Sequence, residues 1–134
     1  MALQINQREK EEIVILDMDG RLVVGEECSQ IRERIQALAA AARNRVILNL
    51  QDVDYIDSTG LGALVICFTT LKKAGGALKL LNLTKRNIEL LVLTKLTTVF
   101  EIFNDEQDAV NSFFPNREIK RFDILNFVER QSDS

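Results

Sequence analysis

Short apolar runs alternate along this chain with stretches whose apolar residues recur every three or four positions. The first kind reads as strands and the second as helices. Residues 3–7 alternate around Leu3 and Ile5, as on an edge strand. Arg8 to Glu12 forms a charged turn. Ile13-Val14-Ile15-Leu16-Asp17-Met18 is a more buried strand. Asp19-Gly20 is a hairpin signal, and Leu22-Val23-Val24 can pair back as a short third strand until Gly25 breaks the run. Cys28, Ile31, Ile35, Leu38 and Ala42 then share one face of a helix over 26–42. Arg43 suits its C-terminal end, and Asn44 can take a left-handed cap.

Val46-Ile47-Leu48-Asn49-Leu50 reads as a fully buried central strand. Apolar residues at 61, 64, 65, 68 and 71 predict the next helix, which stops at Ala74-Gly75-Gly76. Ala77 to Leu81 is another buried strand. Thr84 caps a helix that turns Ile88, Leu91 and Val92 inward, while Leu90 and Leu93 fall off that face, either to pack on a second side or to meet a partner. Thr98 to Phe103 alternates as a last strand. Asn104 and Gln107 have the spacing of a capping box, and a final helix buries Ala109, Val110 and Phe113 before Phe114-Pro115. Right-handed crossovers make the sheet parallel apart from the leading hairpin. The expected fold is α/β: a mixed sheet of four to five strands packed with four helices over residues 1–115. Residues 116–134 form an extension, where Phe122, Leu125 and Val128, with Ile124 and Phe127 beside them, predict a short amphipathic helix. Such a helix either folds back or meets another chain, and a homodimer through it is one expected outcome.

Composition narrows the chemistry. The chain has 134 residues, a net charge of −3 and no histidine. A Ser-His-Asp triad, a Cys-His pair and a histidine metal site are therefore excluded. A Walker A loop and a dinucleotide fingerprint are also absent. There is no basic stripe to neutralise a nucleic-acid backbone, so direct nucleic-acid binding is not expected. No apolar run reaches the roughly 18 residues of a membrane span, and no signal peptide opens the chain. The two cysteines fall on apolar helix faces, as reduced buried thiols would. A cytoplasmic location fits.

One stretch concentrates polar chemistry between two apolar elements: Asp52-Val53-Asp54-Tyr55-Ile56-Asp57-Ser58-Thr59-Gly60-Leu61-Gly62. Asp57 or Ser58 can cap the helix that follows. The Ser58 and Thr59 hydroxyls would then stand among unpaired backbone N–H groups. Gly60 and Gly62 leave room for another backbone or a partner. Asp54 and Tyr55 read as the rim of this surface or, for Tyr55, as an aromatic packed over the strand end. On the residues alone the junction is a helix cap, or it presents Ser58 as a modifiable hydroxyl.

The segment Val46 to Gly62, with its Asp-Ser-Thr-Gly-Leu-Gly ending, resembles the signature of STAS domains, specifically the anti-sigma factor antagonists. The resemblance runs over about residues 3–114. It implies the STAS fold and phosphorylation at Ser58, with Asp57, Thr59, Gly60, Gly62, Asp54 and Tyr55 around it as the partner surface. It also implies an anti-sigma factor serine kinase as partner, which brings its own ATP, and a serine phosphatase to reverse the modification. On that reading the chain is not an enzyme and needs no cofactor. Two other readings stand beside it: a non-phosphorylated STAS scaffold in a larger assembly, and a nucleotide-binding module using the helix N-terminus.

Overall fold

In a computed structural model the described residues, 3–119, form a five-stranded sheet in the order β1-β2-β3-β4-β5, with four α-helices. The strands are β1 (Gln4–Lys10), β2 (Ile13–Leu22), β3 (Arg45–Ile56), β4 (Ala77–Leu81) and β5 (Ile102–Phe103). The helices are α1 (Glu26–Ala40), α2 (Ser58–Lys73), α3 (Lys85–Leu93) and α4 (Glu106–Asn111). β1 pairs antiparallel with β2, and the other neighbours are parallel. The mixed α/β architecture is the one expected. The helix expected around Phe122, Leu125 and Val128, and any dimer contact through it, lie outside the described residues.

Alternation along the strands makes two cores. Val14, Leu16 and Met18 of β2, Val46, Leu48 and Leu50 of β3, and Leu78 and Leu80 of β4 face one way. They meet Cys28, Ile31, Ile35 and Leu38 of α1, Leu61, Leu64, Cys67 and Leu71 of α2, and Leu91 of α3. Ile13, Ile15, Ile47 and Leu81 face the other way, under Phe103 and under Ala109 and Val110 of α4. Both cysteines are buried and unbridged.

The leading hairpin turns at a different place from the one expected. Glu11 and Glu12, with φ of 53° and 70°, make the tight turn between Lys10 and Ile13. Both central residues of this turn class need positive φ. Two glutamates accept it here, with Arg117 paired to Glu11 at 2.8 Å and Arg45 to Glu12 at 3.7 Å. Asp19-Gly20 makes no turn. Gly20, at φ 130°, sits where the register of β2 against β3 shifts, so its freedom serves an irregularity inside one long strand. Leu22 therefore ends β2, and Val23-Val24 is a loop rather than a third strand.

Three smaller expectations also change. Ala42, not Asn44, takes the left-handed position after α1, at φ 60°. The Arg43 N–H then closes on the Leu38 carbonyl at 2.8 Å. Asn44 instead donates its side-chain amide to the Ala74 carbonyl at 2.7 Å. Most of Thr98 to Phe103 is not strand, because a 3₁₀ turn at Leu96–Thr98 occupies its start. Asp105, not Asn104, caps α4, accepting the Asp108 N–H at 3.0 Å.

The strand β3 outruns the sequence reading. It continues through Asp52, Val53, Asp54 and Tyr55 to Ile56, paired only with β2, because β4 ends opposite Asn49. The Val53 carbonyl, on the side that β4 leaves open, needs a donor. Buried Asn87 of α3 supplies it, donating its side-chain amide at 2.9 Å. That bond seats α3 beside the end of β3, where α2 begins.

Candidate functional site

Asp57 is the single residue between β3 and α2, and it is the N-cap. Its Oδ1 accepts the Gly60 N–H at 2.7 Å, and its Oδ2 accepts the Val24 N–H at 3.0 Å. The Asp57 N–H donates to the Leu22 carbonyl at 3.2 Å. One carboxylate thus ties the start of α2 to the loop after β2. Those backbone donors, Gly60 first, hold its carboxyl below the usual aspartate range.

Ser58 and Thr59 open α2, and both are exposed. They border different hollows. Ser58, with Tyr55, Ile56 and Asp57, lines a pocket of about 300 Å³ closed by Arg86, Asn87, Glu89, Leu90 and Leu93 of α3. Thr59 faces a broader depression of about 780 Å³, bordered by Val24, Gly25 and the first turns of α1. The Arg86 guanidinium lies 4.5 Å from the centre of the Tyr55 ring. Tyr55 is thus a half-buried platform at the strand end as well as a wall of the pocket. Asp54 is exposed on β3, outside the lining of either hollow.

The two glycines part company. A Cβ on Gly60 would stand 2.0 Å from the Leu22 carbonyl oxygen, so this glycine admits the chain's own backbone. A Cβ on Gly62 would meet nothing within 4 Å. Gly62 belongs to the outward side of α2, with Thr59, Ile66, Thr69 and Lys73 at helical spacing. Three large apolar side chains are exposed among the described residues: Val24 (68%), Ile66 (45%) and Leu93 (81%). Val24 hangs on the loop held by Asp57, Leu93 closes the Ser58 pocket and Ile66 is two turns along α2. Leu90 packs on the main core and Leu93 does not, which divides the pair that the helix pattern left open.

Three contributors had little or no signal in the sequence. Val24 reads as strand, Arg86 is one of two basic residues in a first helical turn, and Asn87 is a polar residue on a helix. Only the pairing of β3 beyond β4 brings them to Ser58.

With this geometry in place the chain can be assigned to a class. A STAS-domain family model matches residues 4–109, and the chain belongs to the STAS-domain anti-sigma factor antagonist family. It is 35% identical over 110 residues to an anti-sigma-B factor antagonist of Bacillus subtilis, covering 82% of this chain and 99% of that one. An anti-sigma factor antagonist of Planctomyces limnophilus shares the fold at a TM-score of 0.71 and 21% identity, over 81% of this chain and 97% of that one. SpoIIAA of Bacillus, also an anti-sigma factor antagonist, matches at 20% identity in two forms. Its unphosphorylated form gives a TM-score of 0.62 over 82% of this chain and 96% of that one. Its phosphorylated form gives 0.63 over 81% and 98%. Among the described residues no helix is long and apolar enough to cross a membrane.

Proposed function

We propose that this protein is a phosphorylation-controlled binding module that releases a sigma factor by occupying an anti-sigma factor serine kinase. The unmodified Ser58 surface docks on the kinase, and phosphorylation of Ser58 ends the docking. The observation that carries this reading is the arrangement around Ser58. A free hydroxyl opens a helix beside a fully engaged cap, and the exposed apolar side chains Val24, Ile66 and Leu93 flank it. Exposed apolar groups rimmed by polar ones mark interaction surfaces. The family membership supplies the class of partner.

The division of labour follows from the residues. Asp57 is committed to two backbone N–H groups, so it orients Ser58 and does not take its proton. The partner brings ATP and the base. The bond from the γ-phosphorus to the bridging oxygen breaks, a bond to Ser58 Oγ forms, ADP leaves, and the serine proton goes to the partner's base. This chain then acts as substrate and ligand, not as enzyme, and works in the cytoplasm with its target. A serine phosphatase reverses the modification. Thr59, Gly62 and Ile66 form the flank of α2 that the partner covers, with Asp54 and Tyr55 towards the end of β3.

Phosphate on Ser58 adds about −1.5 to −2 charges at pH 7. The N-terminus of α2 favours the anion by roughly 0.3–1 kcal/mol, and the Asp57 carboxylate opposes it by a similar amount, so the fold changes little. In an interface, one like-charge contact at about 5 Å and an effective dielectric of about 20 costs roughly 3 kcal/mol. At about 1.4 kcal/mol per tenfold, affinity falls a hundredfold or more.

Intact mass after incubation with the candidate kinase and ATP tests the site. Wild type gains one phosphate and Ser58→Ala gains none. Equal modification of both proteins moves the site elsewhere. No modification of either, with kinase binding intact, replaces the switch by a scaffold.

A further inference from the structure

We infer that Arg86 is the phosphate anchor of this switch, pairing with the phosphoryl group of modified Ser58 inside the pocket that both residues line. The inference rests on the phosphorylation reading above and adds a residue to it. Four observations carry it. Arg86 and Ser58 border one open hollow of about 300 Å³, room enough for a phosphoryl group. The guanidinium is laid on the Tyr55 ring at 4.5 Å, which orients the fork without using its N–H groups. Among the described residues no carboxylate lies within 4.0 Å of it, whereas Arg8, Arg43, Arg45 and Arg117 all have such partners. The base of the pocket is fixed, because Asn87, the next residue, is tied to the Val53 carbonyl at 2.9 Å.

The other charges around the pocket give the anchor its purpose. Asp57 and Glu89 line the same pocket and repel a phosphate, and exposed Asp54 stands beyond on β3. The α2 N-terminus offers partial positive charge, and Lys85 is an exposed cation one residue before Arg86. Among the described residues Arg86 is the only full cation lining the pocket. A planar guanidinium grips a phosphate dianion through two parallel N–H bonds. The modified serine is thereby drawn towards α3 and Leu93, across the surface a partner would cover, and the monoanion is disfavoured.

The readout is the second ionisation of phosphoserine 58, followed by ³¹P NMR across pH 5 to 8. The phosphoserine is installed during synthesis of the full-length chain, so the result does not depend on any kinase accepting the protein. An unperturbed phosphoserine ionises near pH 6. Arg86→Gln is expected to raise the midpoint by about one pH unit, the low end of the shift that one nearby opposite charge produces. Arg86→Lys, which keeps the charge, is expected to hold most of the wild-type value. Glu89→Gln is expected to shift it downward. Equal midpoints in wild type and Arg86→Gln would overturn the inference. Failure of the kinase to modify Ser58 would bear on the proposed function and leave this titration standing.

Discussion

The two faces of the sheet use their polar residues in opposite ways. On the face covered by α4, charges are paired with one another. Arg8 of β1 binds Asp17 of β2 through Nε and Nη2, and reaches Glu106 of α4 at 3.1 Å through Nη1. Asn49 of β3 joins through Asp17 at 2.8 Å. Lys79, nearly buried, meets Glu101 at 2.6 Å, the Ser112 carbonyl at 3.2 Å and the Phe113 ring at 4.6 Å. On the face covered by α1, α2 and α3, buried Asn87 is spent on the Val53 carbonyl and the other polar groups gather at the rim of an apolar core. There Asp57 satisfies the backbone, while Ser58, Arg86 and Glu89 are left without a paired charge among the described residues. One face is a strut that joins strands to a short helix. The other is a rigid frame whose open polar groups are available to something outside the chain.

If that division is right, substitutions should separate into those that move stability and those that move binding. Gly60→Ala should have the largest effect on the fold. The added carbon meets the Leu22 backbone, which cannot give way as a side chain can, and overpacking of this kind costs about 3 kcal/mol. A thermal midpoint unchanged in Gly60→Ala would break the account of that contact. Asp57→Ala comes next. It leaves the Gly60 and Val24 N–H groups without their acceptor, and cap losses run at about 1–2 kcal/mol. Urea unfolding measures it, and Asp57→Asn should recover part of the loss.

The strut face supplies a pH test. Hydrogen bonds from Arg8 hold the Asp17 and Glu106 carboxyls below their ordinary values. The unfolded chain then binds protons more readily than the folded one. Stability from these groups is complete above the unfolded range, at about pH 5, and is lost as pH falls through about 4 towards the folded values. These pairs are partly exposed, so the contribution is modest, about 0.5–1 kcal/mol for each pair. Arg8→Gln should flatten this part of the stability profile between pH 5 and 3 and leave partner binding unchanged. Weaker partner binding in Arg8→Gln would blur the division between faces.

The smallest effect belongs to Gly62→Ala. Nothing obstructs the added methyl, and an exposed helical glycine replaced by alanine gains about 0.5–1 kcal/mol. The same variant should bind the kinase less well, because Gly62 lies on the flank of α2 proposed to be covered. Greater stability with weaker binding in one variant is the sharpest contrast to Gly60→Ala.

How much of this was legible in the sequence depends on the range of the interaction. Most helix-face positions, the strand core at 46–50, the Thr84 cap and the junction at Asp57 and Ser58 follow from spacing and local hydrogen bonding, and they stand. Ala42 instead lies exposed beyond α1, and on α3 it is Leu90 rather than Val92 that packs with Leu91 on the main core. The misread places are those where distant pairing decides. Asp19-Gly20 has the chemistry of a turn, but pairing with β3 keeps it inside β2, and Glu11-Glu12 accepts positive φ because flanking strands and arginines hold it. Val53 to Ile56 falls in the polar junction after the strand read at 46–50, yet β2 and Asn87 complete its ladder. Asn104 and Asp105 compete for one cap with nearly equal chemistry. Gly60 and Gly62 look alike in the sequence, and only the path of Leu22 tells them apart. Arg86 carries no local signal, since its meaning lies in Tyr55 and Ser58, which reach it through the fold.

The central claim is a charge switch without a fold change. Its most direct test is calorimetric affinity for the anti-sigma factor kinase, compared between the protein and its form phosphorylated at Ser58, with circular dichroism on both. The account predicts binding weakened a hundredfold or more and superimposable spectra. Equal affinity of the two forms would contradict it, and so would a loss of binding accompanied by a refolded spectrum.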